Sequence, residues 1–317
     1  MTIAQTCKQM IPKPWGSTDL RPWDAYHGDG VAIGEIWFQR IGANASDSTL
    51  DLKLLFTKEP LSIQVHPDDA FAHSIGLTRG KSEAWYVLSA LPDAKIAVGL
   101  KRRLTAAQLR RSVDEGSISE LIQWRTARIS EVIFVPPGTI HSIGPGLVIV
   151  EIQQRSAATF RLFDYARQRP LHVDYAVAAA SAEQTEHQAP LRTLTTARTL
   201  LVASPHFVLE RFELPRGSSW ELLAVGETWL FILDGCARIG SIEASIGEVL
   251  FLEADRMRIE VGTAGLRGLA AYAGSDPNPD LLHRLDGEET GLPGGDQDRI
   301  HLRPTTAPSF ATEEARA

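Results

Sequence analysis

The residues best suited to chemistry lie in three short stretches. LSIQVHP (61–67) alternates like a strand, which sends Leu61, Ile63 and Val65 to one side and Ser62, Gln64 and His66 to the other. Three polar side chains opposite three core residues face either solvent or a functional cavity. KSEAWYVL (81–88) repeats the pattern with Lys81 and Glu83 on one face. In VPPGTIHSIGPG (135–146), the turn Pro136-Pro137-Gly138 delivers His141 to the start of the next strand. Together Gln64, His66, Glu83 and His141 offer an amide oxygen, two imidazoles and a carboxylate, a donor set that suits zinc and tolerates iron, manganese or cobalt. A single carboxylate against a divalent ion leaves a net charge of about +1, able to stabilise an oxyanion in a transition state. The plainer alternative makes His66 and His141 separately satisfied histidines and Glu83 a surface residue. Convergence of three strands on one barrel argues against it.

Those strands belong to a mainly β chain. From Ala32 to Val150 short alternating runs are punctuated by Gly and Pro, as in an antiparallel sandwich or barrel. IGEIWFQRI, LDLKLLF, LSIQVHP, EAWYVL, AKIAVGL, EVIFVPP and LVIVEIQQ read as strands. LTAAQLRRSVDEGSISELIQW (104–124) has helical spacing instead, and Ser117 with Glu120 forms a capping-box pair; it reads as a two-helix insertion over about 101–127. SEAWYVL (82–88) is echoed by GETWLFIL (226–233), and EVIFV (131–135) by EVLFL (248–252). Glu83 and Glu131 stand 48 residues apart, Glu227 and Glu248 only 21, and the difference of 27 is about the length of the insertion. Ten residues after Glu131 comes His141, whereas ten after Glu248 comes Arg258, so the second copy lacks a ligand. The expected organisation is a first jelly-roll-like domain over 1–185 that carries the site, a degenerate metal-free one over 186–275, and an irregular tail over 276–317. The boundary falls in AVAAASAEQTEHQAPL (176–191), and the tail begins in the Gly-, Pro- and acid-rich run after Tyr272.

Composition narrows the partners. A net charge of −7 and a pI near 5.7 describe an acidic protein with no basic tract for nucleic-acid phosphates or anionic lipid. No window approaches the roughly 20 apolar residues that span a bilayer, so membrane and nucleic acid are both poor partners. Cys7 and Cys236 stand far apart, form no metal-binding pattern, and suit a reducing cytoplasm.

LSIQVHPDDAFA, GKSEAWYVL, FVPPGTIHSIGPGLVIVEIQQ and TFRLFDYAR, in this order and spacing, resemble the type I mannose-6-phosphate isomerases, cupin-fold zinc enzymes. The resemblance runs from about Lys13 to Arg167 and fades beyond about residue 190. It implies two cupin-like barrels, one zinc ion per chain on Gln64, His66, Glu83 and His141, and a sugar-phosphate substrate. It further implies that Arg161, Lys81 and Glu151 stand in the catalytic cavity and that Lys53 and Ser62 meet substrate or its phosphate. Arg161, flanked by Phe160, Leu162 and Phe163, needs an anionic partner, either substrate or an acid such as Asp164. Lys53 interrupts LDLKLLF and could instead extend to solvent from a strand edge. Glu151, within LVIVEIQQ, is either paired or poised. Where the family commonly reads QQNSD this chain has QQRSA, so Arg155 and Ala157 replace an amide and an acid. Asp68 and Asp69 read as a helix start and not as site residues, and His73 and His301 have no evident partners.

The implied reaction is the reversible isomerisation of mannose 6-phosphate and fructose 6-phosphate through an enediolate, with the base open among Glu151, Lys81 and a metal-linked water. The competing readings are a non-catalytic cupin sugar-binding module and an iron-dependent cupin oxygenase. Gln64, Lys81 and Arg161 argue against the oxygenase, because they favour an anionic substrate.

Overall fold

The computed structural model describes residues 3–25, 30–41, 48–181 and 190–287. The chain is mainly β. In the first half the elements are β1 (Ile3–Gln5), β2 (Cys7–Ser17), β3 (Ile33–Gln39), β4 (Leu50–Thr57), β5 (Ile63–Val65), α1 (Asp69–Ser74), β6 (Glu83–Ala90) and β7 (Lys95–Leu100). They continue with α2 (Ala106–Asp114), α3 (Ile118–Leu121), β8 (Ile122–Thr126), β9 (Val132–Val135), β10 (His141–Ile143), β11 (Leu147–Gln154), β12 (Phe160–Phe163) and α4 (Val173–Ala179). The second half holds β13 (Arg192–Thr195), β14 (Arg198–Ala203), β15 (Phe207–Leu214), β16 (Ser219–Ala224), β17 (Thr228–Ile239), β18 (Ile242–Ser245), β19 (Val249–Leu252), β20 (Asp255–Ala273) and β21 (Leu282–Arg284).

The first half stacks a six-stranded sheet, β2-β3-β4-β11-β6-β9, on a five-stranded one, β12-β5-β10-β7-β8. Strand alternation decides what fills each layer. Trp85, Val87, Ile133 and Ile149 point between the two sheets, while Ala84, Tyr86, Val150 and Ile152 point the other way. That outer face packs on Phe207, Trp229, Phe231 and Phe251 of the second half, so one apolar core is shared by both halves. Ile63 and Val65 face outward, under Leu109, Val113 and Ile118 of the helices. Ser62, Gln64 and His66 therefore turn inward, as their parity predicts. Leu61 precedes the strand and joins the inner layer instead of its predicted neighbours.

All seven predicted strands are present; three features differ from expectation. The capping box is built by Thr105 and Gln108, not by Ser117 and Glu120. Ser117 already has helical backbone angles (φ −76°, ψ −7°), so its hydroxyl points back to the Ser112 carbonyl. The insertion is helical only to Leu121, after which β8 joins the edge of the five-stranded sheet through β7. Past residue 276 the chain is not wholly irregular: Leu281 and Leu282 are buried and β21 pairs with β16, because two leucines interrupt the polar run. Residues 288–317, with His301, lie outside the described residues. The N-terminal β1 crosses over to pair with β19 of the second half.

Candidate metal centre and cavity

β5, β6 and β10 bring His66, Glu83 and His141 together, all but fully buried, with potential ligand atoms within 4.8 Å of one another. His141 is paired directly with Gln64 across the β5–β10 ladder. Its approach is set by Gly138, whose φ of +81° belongs to the left-handed region. The Gly138 N–H donates to the His66 carbonyl at 2.8 Å, so the same turn fixes both histidines.

Each imidazole has its tautomer chosen by a backbone carbonyl. Nδ1 of His66 donates to Ala158 O at 2.7 Å, and Nδ1 of His141 donates to Thr139 O at 2.8 Å. A neutral ring then carries a bare lone pair on Nε2. Both rings are held neutral: burial, aided by the Lys81 ammonium, lowers His66 to about 3, and burial also lowers His141. Burial would raise Glu83, but the Lys81 ammonium at 2.8 Å outweighs it and keeps the carboxyl well below its usual range. His66 Nε2 and His141 Nε2 each lie 3.3 Å from a Glu83 oxygen, which sets lone pair against lone pair. His66 Nε2 has no hydrogen-bond partner, and Glu83 Oε2 is met by the Lys81 ammonium. Such a set is competent to hold a metal ion, since 3.3 Å is about the edge of a tetrahedron whose metal–ligand bonds are roughly 2.0–2.1 Å. The Gln64 amide lies 3.2 Å from His141 Nε2, and turning it over presents Oε1 while Nε2 takes up the Ser62 hydroxyl.

Above these residues opens a cavity of about 200 Å³, lined by Ser62, Gln64, Lys53, Lys81, Glu151 and Arg161 among others. Of the residues singled out in the sequence, Ser62, Gln64, Lys53, Lys81, Glu151 and Arg161 thus line one space, while His66, Glu83 and His141 form the buried cluster beside it. Lys53 does not reach solvent: its Nζ bonds Gln153 Oε1 at 2.9 Å and Glu151 Oε1 at 3.3 Å and lies over the Trp37 ring. Arg161 is not the partner of Asp164, whose carboxylate is taken by Arg167 and Arg169, and the buried Arg161 Nε has no hydrogen-bond partner. Burial raises Glu151 against the opposing pull of Lys81, 4.0 Å away. Lys81 is itself raised, because Glu83 and Glu151 outweigh its burial.

Lys13, Trp15, Glu35, Trp37 and Arg169 also line the cavity and were not singled out in the sequence. A signal was present, since Glu35-Ile36-Trp37 is a third Glu-x-Trp, and here too the indole donates to the glutamate, at 2.6 Å. Ala157 lines the wall, and Arg155 lies at a neighbouring groove with its Nε 3.9 Å from Asp51. Asp68 caps α1 by accepting from Phe71 N, and His73 donates to the Thr78 carbonyl at 2.9 Å, so both have local structural partners.

Two stacked antiparallel sheets that enclose a His/Glu/His cluster define a cupin-type protein with a metal-competent centre. No protein-family model matches the chain. It is 31% identical over 246 residues to the mannose-6-phosphate isomerase of Streptococcus mutans, covering 65% of this chain and 77% of that one. It is 31% identical over 207 residues to mannose-6-phosphate isomerase ManA of Bacillus subtilis, covering 60% and 64%. The crystal structure of a Bacillus subtilis mannose 6-phosphate isomerase superposes with a TM-score of 0.74 at 21% identity, over 86% of this chain and all of that one. The Salmonella typhimurium enzyme gives 0.68 at 14% identity, again over 86% of this chain. The chain belongs to the mannose-6-phosphate isomerase family.

Proposed function

We propose that the chain interconverts mannose 6-phosphate and fructose 6-phosphate, with a zinc ion on Gln64, His66, Glu83 and His141. The observation that carries this reading is the buried pair of unprotonated imidazole nitrogens facing one carboxylate at 3.3 Å, beneath a cavity rich in cations. The ion would supply a Lewis acid that polarises the sugar's carbonyl and hydroxyl oxygens. Arg161, with an unsatisfied Nε, is free to meet an anionic oxygen, and Lys81, kept protonated by its two glutamates, adds a second positive charge. Glu151 is the best-placed proton carrier between C1 and C2, since burial raises its carboxyl above the usual carboxylate range and so favours both taking and returning a proton. Ser62, beside β5 of the five-stranded sheet, and Lys53, the cross-strand neighbour of Glu151, hold the sugar or its phosphate.

The relatives named as mannose-6-phosphate isomerases support the substrate assignment. Among the described residues no helix is long and apolar enough to cross a membrane, and the exposed, unpaired Cys7 and Cys236 favour a cytoplasmic setting. The test is a coupled isomerase assay on mannose 6-phosphate. Turnover that vanishes on chelation and returns with zinc is expected; turnover untouched by exhaustive chelation would remove the metal from the reading.

A further inference from the structure

We infer that His206, from the second half, is a positioning residue for Lys81 and Glu83; this rests on the isomerase reading. The segment that leads into β6 is pinned one residue at a time. Gly80 N donates to Asp69 Oδ1 at 2.7 Å, Lys81 N to the Pro67 carbonyl at 2.9 Å, and Ser82 N to Gln154 Oε1 at 2.7 Å. Gln154 N returns a bond to the Ser82 carbonyl at 3.0 Å, so this one residue holds both backbone polar groups of Ser82, which lies between Lys81 and Glu83. A backbone N–H requires the oxygen of the Gln154 amide, which fixes that amide's orientation. Its nitrogen therefore points away, where it donates to His206 Nδ1 at 3.1 Å and, at 3.3 Å, to Asp69 Oδ1. His206 is the part of this bracket that comes from outside the first half.

The imidazole is not needed for its own turn. Ser204 Oγ accepts from His206 N and Phe207 N, and Ser204 N bonds the Phe207 carbonyl, so the loop between β14 and β15 closes without the ring. The ring stands beside a cavity of about 470 Å³ between the halves, 31% exposed, and its contact with Gln154 is the tie from this loop to the strand end that carries Lys81 and Glu83. Loosening that tie leaves the Gln154 amide held by Ser82 N and Asp69 Oδ1 alone, a weaker bracket that lets Glu83 and Lys81 shift relative to His66. Geometric looseness of this kind affects turnover more than substrate affinity.

The experiment compares full-length, zinc-loaded His206→Ala and His206→Asn with the unaltered chain. Asn carries an acceptor oxygen at the branch position of Nδ1, so it can receive the Gln154 bond. The Ala variant is expected to lose about fivefold in kcat with KM unchanged, the scale of one net hydrogen bond, and to release zinc to a chelator faster by a similar factor. The Asn variant is expected to stay within about twofold of the unaltered chain on both measures. Equal behaviour of the two variants overturns the inference, whether both match the unaltered chain or both fall together with their melting temperature. Zinc release is read without substrate, so an unaltered chain inactive on mannose 6-phosphate would count against the isomerase reading and leave the release comparison standing.

Discussion

Glu83-Ala84-Trp85 and Glu227-Thr228-Trp229 start alike and end on opposite sides of their sheets. In both, the indole donates to the glutamate two residues before it, at 3.1 and 2.9 Å. The turns that face them also match: Glu131 and Glu248 each accept from the N–H three residues back, and each follows a left-handed residue, Ser130 or Gly247. The difference is one residue of register. Trp85 pairs with the second residue after Glu131, whereas Trp229 pairs with the third after Glu248. A slip of one reverses every side chain on a strand. Trp85 thus points into its own sandwich beside His141, and Trp229 points out into the core shared with the first half. Glu227 follows it outward, where it accepts from Ser48 Oγ, Thr49 N and Oγ1, and Leu50 N, at the start of the strand that carries Lys53. One glutamate faces two imidazole lone pairs beside its lysine and can join them in holding a metal ion; the other is surrounded by donors.

The sharpest way to break this comparison is to remove each carboxylate. Glu83→Ala should lose the metal and at least about 10³-fold in activity, while Glu227→Ala should keep one metal per chain by elemental analysis. The cost of Glu227→Ala should appear instead in denaturant unfolding, as roughly 2–3 kcal/mol from donors left without their charged acceptor. Next comes pH. His66 binds its proton at about 3 when folded and near 6.5 when unfolded, so between these values the unfolded chain holds more protons. Stability of the chelated protein should therefore be full above about pH 6.5 and decline toward pH 3, read as a falling urea midpoint from pH 7 to pH 5. His141, lowered by the same burial, contributes in the same direction, so His66→Ala should flatten part of that decline and the double change with His141→Ala more of it. Gly138→Ala, which forces a left-handed alanine, should cost about 1 kcal/mol and weaken metal retention by shifting both histidines. The smallest effect is Arg258→His: Arg258 is exposed on β20 and pairs with Glu260, so the change should stay within about 0.5 kcal/mol and add no second metal.

Much of this was legible in the sequence because a strand's parity is a geometric fact. Gln64, His66, Glu83 and His141 converge as their alternation requires, and the acidic, cysteine-poor composition offers no competing ligand set. What stayed hidden depends on register and on sheet order, which no local pattern encodes. Arg258 marked the loss of a ligand by counting, but the structure adds a different reason to expect no site, since Glu227 faces the other way and, among the described residues, the second half gathers no such cluster. Lys13 and Trp15 escaped notice because the first residues of β2, Cys7-Lys8-Gln9, are exposed and mask a strand whose far end enters the cavity. The insertion's capping box was misplaced because Ser-x-x-Glu and Thr-x-x-Gln score alike, and only the backbone angles separate them.

The core shared by the halves has a consequence for how the chain can be shortened. The six-stranded sheet that holds Glu83 and Glu151 has one face over the centre and the other against Phe207, Trp229, Phe231 and Phe251. A gene cut near codon 185 would encode every proposed ligand yet leave Ile36, Phe38, Leu54 and Ile152 bare to water, a patch expected to drive the fragment into aggregates. Though it supplies none of the proposed ligands, the second half is thereby made indispensable for solubility.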